Sequence, residues 1–158
     1  VITGGTGLAP VRSMLNMLAE TPGYVRSVHL ISGFKNADGI VFHNELEKWK
    51  QKFSTIYALD NDTMEGWRTG LVTTFVPEIP FDTFKGEYVV VVVGPPPMMK
   101  FTGLALMNQG VEPEKVYMSF ERKMSCAIGK CGHCRIDEVY VCLDGPVFPY
   151  TVARDLID

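Results

Sequence analysis

The chain's cysteines all fall in its C-terminal tail, as Cys126-x4-Cys131-x2-Cys134-x7-Cys142. Thiolates bind soft and borderline metals, and four of them in so short a stretch can cage an inorganic centre. The opening spacing of four and then two residues is one that holds a [2Fe-2S] cluster in electron carriers, although the last thiol comes much sooner here. Two other readings stay open. Structural zinc favours two matched Cys-x2-4-Cys knuckles, and only Cys131 and Cys134 form such a pair. Disulfides suit core-poor domains in oxidising compartments, whereas this chain has 158 residues, 46% of them apolar. Gly129 and Gly132 permit unusual dihedrals and let backbone N–H groups approach sulfur. Arg122, Lys123, Lys130 and Arg135 bring positive charge that would favour a reduced, more anionic cluster, or else form an ordinary charged surface loop. A Rieske centre uses two histidines; with four thiols present, His133 reads as a supporting or surface residue.

Two glycine-rich turns could bind a nucleotide. Gly4-Gly5-Thr6-Gly7-Leu8-Ala9-Pro10 and Gly94-Pro95-Pro96-Pro97-Met98 each leave a predicted strand and open a predicted helix. Such a turn offers unpaired N–H groups and a positive dipole end to phosphate. The first is not the G-x-G-x-x-G fingerprint, and a tight strand-to-helix turn needs glycine for steric reasons as well.

The elements that must position these turns alternate between strand and helix. Val28–Ser32, Thr55–Leu59, Tyr88–Val93 and Lys115–Phe120 read as strands, with Val1–Thr3 as a stub of another. Val11, Met14, Leu15 and Leu18 mark one helical stripe, and Phe42, Leu46, Trp49 and Phe53 a second. A short helix is predicted from Gly70 to Val76, and a longer one from Pro97 to Gln109, stopped by Gly110. This pattern predicts an α/β fold: a Rossmann-like open parallel five-stranded sheet with helices on both faces, plus a C-terminal iron–sulfur-binding arm. In such a sheet ligands bind outside the carboxyl ends of the strands. His29 and His43 lack metal-ligand partners at useful spacing and read as structural.

Composition excludes several classes. A net charge of −3 gives no electrostatic footprint for nucleic acid, and no apolar run is long enough to span a membrane. No secretory leader is visible, and free thiols fit a reducing cytoplasm. Val1 already lies in an apolar run, which suggests that further chain precedes it.

Taken together, the motifs resemble the ferredoxin–NADP reductase superfamily. Gly4 to Ser13 is similar to its pyrophosphate loop, and Val93-Gly94-Pro95-Pro96-Pro97-Met98 to the loop it sets against the nicotinamide. Trp67 to Val72, and Ser119-Phe120-Glu121-Arg122-Lys123-Met124 running into the thiols, add to the likeness. The tail narrows it to iron–sulfur electron-transfer subunits: those of anaerobic sulfite reductase, cytoplasmic hydrogenase (gamma subunit) and dihydroorotate dehydrogenase. The ending, Phe148 to Asp158, leans towards the sulfite branch.

The resemblance implies an NAD(P)-binding domain over residues 1–120 and a [2Fe-2S]-binding segment over 121–158. Cofactor contacts would come from Gly4, Gly5, Thr6, Gly7, Leu8, Ala9, Pro10, Gly94, Pro95, Pro96 and Met98. Ser119 and Glu121 would approach the redox centre, and Cys126, Cys131, Cys134 and Cys142 would hold the cluster. Glu121 can equally be a solvent-facing or capping carboxylate, and Met98 a core filler. The family's flavin barrel is absent from this sequence, so FAD would be held mainly by an upstream domain. Many members carry cysteine before the nicotinamide-loop glycine, where this chain has Val93, so arguments from a thiol there do not transfer.

The implied path runs from NAD(P)H through FAD and the cluster to catalytic and iron–sulfur partner subunits, with sulfite reduced to sulfide as the first expectation. A hydrogenase or dihydroorotate dehydrogenase partner is the alternative, and a nucleotide-binding module with structural zinc is the alternative from another class. NADH and NADPH are not distinguished: Lys35 could meet a 2′-phosphate, while Asp38 could meet a ribose or cap the next helix.

Overall fold

Short β-branched runs alternate with amphipathic stretches, and the computed structural model, which describes residues 1–157, turns them into strands and helices in that order. The elements are β1 (Ile2–Gly4), α1 (Leu8–Glu20), β2 (His29–Phe34), α2 (His43–Lys50), β3 (Ser54–Leu59), β4 (Arg68–Thr69) and β5 (Val90–Val93). There follow α3 (Pro96–Asn108), β6 (Val116–Ser119), β7 (Arg135–Ile136), β8 (Val139–Tyr140), α4 (Val141–Asp144), β9 (Val147–Pro149) and α5 (Tyr150–Leu156). Seven strands form one sheet in the order β4-β3-β2-β1-β5-β6-β9. Every pairing in it is parallel except that of β9, which runs antiparallel to β6.

The five expected strands make the central part of this sheet, and two short ones extend it. The polar stretch over residues 60–69 ends in β4, whose two residues pair with Ala58 and Leu59. The segment expected as part of a cluster arm contributes β9, with Phe148 opposite Met118. The short helix expected from Gly70 to Val76 is a 3-10 turn over Val72–Glu78 instead. Its β-branched residues and Pro77, which lacks an N–H, disfavour α-helix.

Side chains alternate across the sheet and bury against helices on both sides. Leu30, Tyr57, Leu59 and Val93 face α1 and α2, joining Leu8, Val11, Leu15, Leu46 and Trp49. Ile2, Ile31, Ala58, Val90 and Val92 face the other way, towards Phe75, Val76, Met99, Leu106 and Ala153. Trp49 Nε1 donates to Asn16 Oδ1 at 3.0 Å, tying α2 to α1. Between β1 and β2 the buried hydroxyls of Thr3 and Ser32 satisfy each other at 2.7 Å.

The tail closes on this second face. Tyr150 and Ala153 of α5 are buried with Met118 and Leu106, and Cys134, Ile136 and Val141 enter the same core. Helix α5 reaches α3 where Gly103 leaves room: a Cβ there would stand 2.5 Å from Tyr150 Cε2 and 3.1 Å from Met118 Cε. Since the Tyr150 ring is itself buried, it has little space to move aside. Gly103→Ala is expected to cost about 1–3 kcal/mol of stability through overpacking. Combining it with Tyr150→Leu should recover part of that loss in a double-mutant cycle. Additive losses in urea unfolding would show that the contact does not limit this packing.

Candidate functional site

Parallel pairing brings the carboxyl ends of β1, β5 and β6 side by side, and a cleft of about 270 Å³ opens there. Its walls come from three segments: Gly4, Thr6 and Gly7 after β1; Val93, Gly94, Pro95, Pro96 and Met99 after β5; Ser119, Phe120, Glu121 and Arg122 at the end of β6. Leu156 of α5 completes it.

The first turn owes its shape to two glycines that act differently. Gly5 has φ +55°, and a Cβ there would meet nothing within 4 Å, so its backbone faces open space. Gly7 is buried, and a Cβ on it would lie 2.5 Å from the Val93 carbonyl oxygen. Its small size therefore lets the turn lie against the end of β5. Residues 5–7 form a 3-10 turn leading into α1, and no side chain caps either element. Backbone donors at this end are left to solvent or to an anion.

The second turn is chemically different. Helix α3 begins at Pro96 with Pro95 at its N-cap, and Pro97 follows. Prolines carry no N–H, so this helix start is poor in donors and offers an apolar edge. Met98 is half-buried and packs across both turns: a Cβ on Gly94 would stand 2.4 Å from its sulfur, and one on Gly4 3.0 Å.

Among the other expected contacts, Ala9 and Pro10 are exposed. Leu8 is fully buried beneath α1, so its side chain serves the core. Ser119 is buried on the wall formed by β6, and Glu121 is exposed at the rim. Lys35 and Asp38 are both exposed beyond the end of β2. Asn36 rather than Asp38 caps the turn there, accepting Gly39 N–H at 3.0 Å, and α2 starts without a side-chain cap. Met99 lines the cleft beside Met98, as its place in the second turn suggests, whereas Phe120, Arg122 and Leu156 escaped the sequence-based site. Leu156 gave no signal, because its place in the cleft depends on the tail folding back.

The thiols lie on a loop between β6 and β9 that bends repeatedly through positive φ, at Ala127, Gly129 and Gly132. These bends turn N–H groups onto sulfur. Cys126 Sγ accepts from Lys130 and Cys131 N–H, each at 3.4 Å, and Cys142 Sγ accepts from Gly129 N–H at 3.3 Å. Backbone N–H groups, that of His133 foremost, lower the Cys131 pKa to about 7, with help from Cys126. The Cys142 thiol is pushed up, first by its contact with Cys134 and then by burial. The thiols thus associate two and two, Cys126 with Cys131 and Cys134 with Cys142. Among the described residues no three His, Cys, Asp or Glu side chains converge as a single metal ion requires. Thiolates with N–H donors on their sulfurs suit an iron–sulfur centre. His133 is exposed in the same loop.

Residues 1–103 match the family model for the oxidoreductase NAD-binding domain, and residues 121–152 match that for the iron–sulfur cluster binding domain of dihydroorotate dehydrogenase B. The gamma subunit of sulfhydrogenase 2 from Pyrococcus furiosus is 32% identical over 167 residues, covering 95% of this chain and 58% of that protein. The electron transfer subunit of dihydroorotate dehydrogenase B (NAD(+)) from Bacillus velezensis is 31% identical over 157 residues, covering 94% and 54%. A solved NADH-dependent reduced ferredoxin–NADP oxidoreductase superposes with TM-score 0.68 at 23% identity, over 99% of this chain and 52% of that one, which establishes the fold. The chain spans about half the length of the curated relatives it matches. It belongs to the oxidoreductase NAD-binding domain family, and its tail carries a segment of the iron–sulfur cluster binding type. These relatives are hydrogenase and dihydroorotate dehydrogenase subunits, so the lean of the sequence towards sulfite reduction gains no support from them.

The two glycines of the first turn should respond differently to alanine. Gly7→Ala must displace backbone and is expected to lower stability by about 1–3 kcal/mol. Gly5→Ala meets only left-handed strain, about 1 kcal/mol, and Gly5→Asn should lose less. Thermal unfolding of the three variants tests this order, and a Gly7→Ala protein as stable as the parent would contradict it.

Proposed function

We propose that the chain is the nucleotide- and cluster-bearing part of an electron-transfer subunit, taking electrons from NAD(P)H and delivering them to a partner catalytic subunit. The observation that carries the reading is the physical continuity of its two sites. Strand β6 ends at Ser119 on the cleft wall and runs directly into the loop that gathers four thiols.

In this reading the uncapped turn after β1 donates backbone N–H groups to the pyrophosphate. Gly94, Pro95 and Pro96 present the apolar edge against which the nicotinamide lies, and Met98 holds the two turns in register. Ser119 and Glu121 bound the reacting face from β6. Met99, Phe120 and Leu156 exclude water from the inner end of the cleft. Flavin would supply the conversion between paired and single electrons, and a [2Fe-2S] cluster would supply single-electron relay. Cys126, Cys131, Cys134 and Cys142 would hold the cluster, and the N–H groups of Gly129, Lys130 and Cys131 would stabilise the sulfur charge.

The relatives' names favour a hydrogenase or a dihydroorotate dehydrogenase as the enzyme served. Subunits of both kinds are 31% and 32% identical to this chain, so identity does not rank one above the other. No helix among the described residues is long and apolar enough to cross a membrane.

Anaerobically prepared protein is expected to be reddish-brown, with about two irons and two sulfides per chain and a paramagnetic signal after dithionite. Cys134→Ser should bleach the colour and remove most of the iron. Its binding of ADP-ribose should stay within about threefold of the parent, because Cys134 is not among the residues that line the cleft. Zinc without iron or sulfide in the parent would defeat the cluster assignment. Loss of nucleotide binding alone in the variant would overturn the division of roles.

A further inference from the structure

Around the thiols, charge and apolar surface are arranged in a way that electron relay inside the chain does not require. No Asp or Glu occurs between Arg122 and Ile136, although the chain as a whole carries −3. Lys123 and Lys130 are exposed and have no ion-pair partner among the described residues. Of the flanking carboxylates, Glu138 pairs with Arg135 at 2.9 Å and Asp144 accepts the Tyr140 N–H at 2.8 Å, while Glu121 and Asp137 stand exposed at the two ends of the stretch. On the same segment, Met124, Ile128 and Leu143 are 43%, 57% and 61% exposed. Leu143 lies directly over the loop, since a Cβ on Gly129 would stand 2.2 Å from its Cδ1. Gly129 in turn donates to Cys142 Sγ. Exposed apolar side chains and unpaired cations thus occur together on the sulfur-bearing segment, with Leu143 against its Gly129.

We infer that this surface, centred on Ile128 and Leu143 and edged by Lys123 and Lys130, docks an acidic face of the protein that accepts the electron. The inference rests on the cluster reading above and names the chemistry of the partner. An apolar centre with a charged rim is the anatomy of a specific protein interface, in which the rim steers encounter and the centre holds. The same patch on a second copy would be repelled by like charge. An anionic lipid surface would satisfy the charges but could not take an electron from the loop at the patch's centre. One electron leaves the reduced iron–sulfur centre, and the acceptor's own redox group gains it.

Two small haem proteins of opposite charge serve as probes: cytochrome b5, which is acidic, and cytochrome c, which is basic. Binding to the cluster-loaded chain is measured by calorimetry at about 20 mM and about 200 mM salt, since screening separates the electrostatic part. Cytochrome b5 is expected to bind at least about tenfold more tightly than cytochrome c at low salt, and to lose most of that advantage at high salt. Lys123→Glu and Lys130→Glu should each weaken it several-fold while leaving the visible spectrum unchanged. Leu143→Gln should weaken it at both salt concentrations.

Equal or tighter binding of cytochrome c, or lysine variants that bind cytochrome b5 like the parent, would overturn the assignment. So would lysine-dependent binding to phosphatidylserine vesicles without binding to cytochrome b5. Iron and sulfide assays on the same samples separate the two failures. Iron-free protein sinks the cluster reading and this inference with it, whereas loaded protein with the wrong charge preference sinks the docking surface alone.

Discussion

Three antiparallel residue pairs between β6 and β9 hold the thiol loop closed: Tyr117 with Pro149, Met118 with Phe148, and Ser119 with Val147. Without them, residues 120–146 would be a free tail, and gathering four thiols would carry the full entropy of ordering it. The ladder fixes both ends of the loop, and two contacts extend it. Phe120 N–H donates to Pro146 O at 2.9 Å, and the rings of Phe120 and Phe148 meet edge to face at 5.6 Å. Because β6 is also a wall of the cleft, one strand determines where both sites lie. Helix α5 follows β9 directly and carries Leu156 into that cleft, so the cleft is incomplete until the tail has docked.

The two sites handle charge by opposite routes from the same material, the backbone amide. At the turn after β1, donors are left uncapped and face outward, where a dianionic ligand can use them. In the thiol loop, comparable donors are folded inward onto sulfur by residues with positive φ. The turn after β5 does neither, because prolines occupy the positions from which a helix start would donate. Two neighbouring strand-to-helix turns are thereby set apart, one suited to phosphate and one to an apolar ring.

Much of this was legible in sequence where a local rule and the tertiary environment agree. The valine run of β5 and the stripe through Leu46 and Trp49 read correctly because each is buried by the face its period marks out. The glycines of the first turn were visible, but their division of labour was not: whether Gly7 is small for a ligand or for Val93 depends on a strand more than eighty residues away in sequence. β4 was hidden in a polar loop because two residues are too few to show alternation. β9 was hidden for another reason. The tail's cysteines fix attention on metal chemistry, while Phe148, Tyr150 and Ala153 are ordinary core residues whose partners lie on β6 and α3.

The thiols and the cleft also share a mechanical logic. A centre that changes charge by one electron works fastest when its surroundings already suit both states, so that little reorganisation accompanies each transfer. Donors held by backbone geometry meet that condition better than flexible side chains, which would re-orient with each change. The loop supplies such donors at Gly129, Lys130 and Cys131, and the β6–β9 ladder keeps them from drifting. Lys123 and Lys130, whose ammonium groups sit on long flexible stems, are poorly suited to that task. Their charge is better placed at the surface, where it can guide an encounter without taking part in the relay itself.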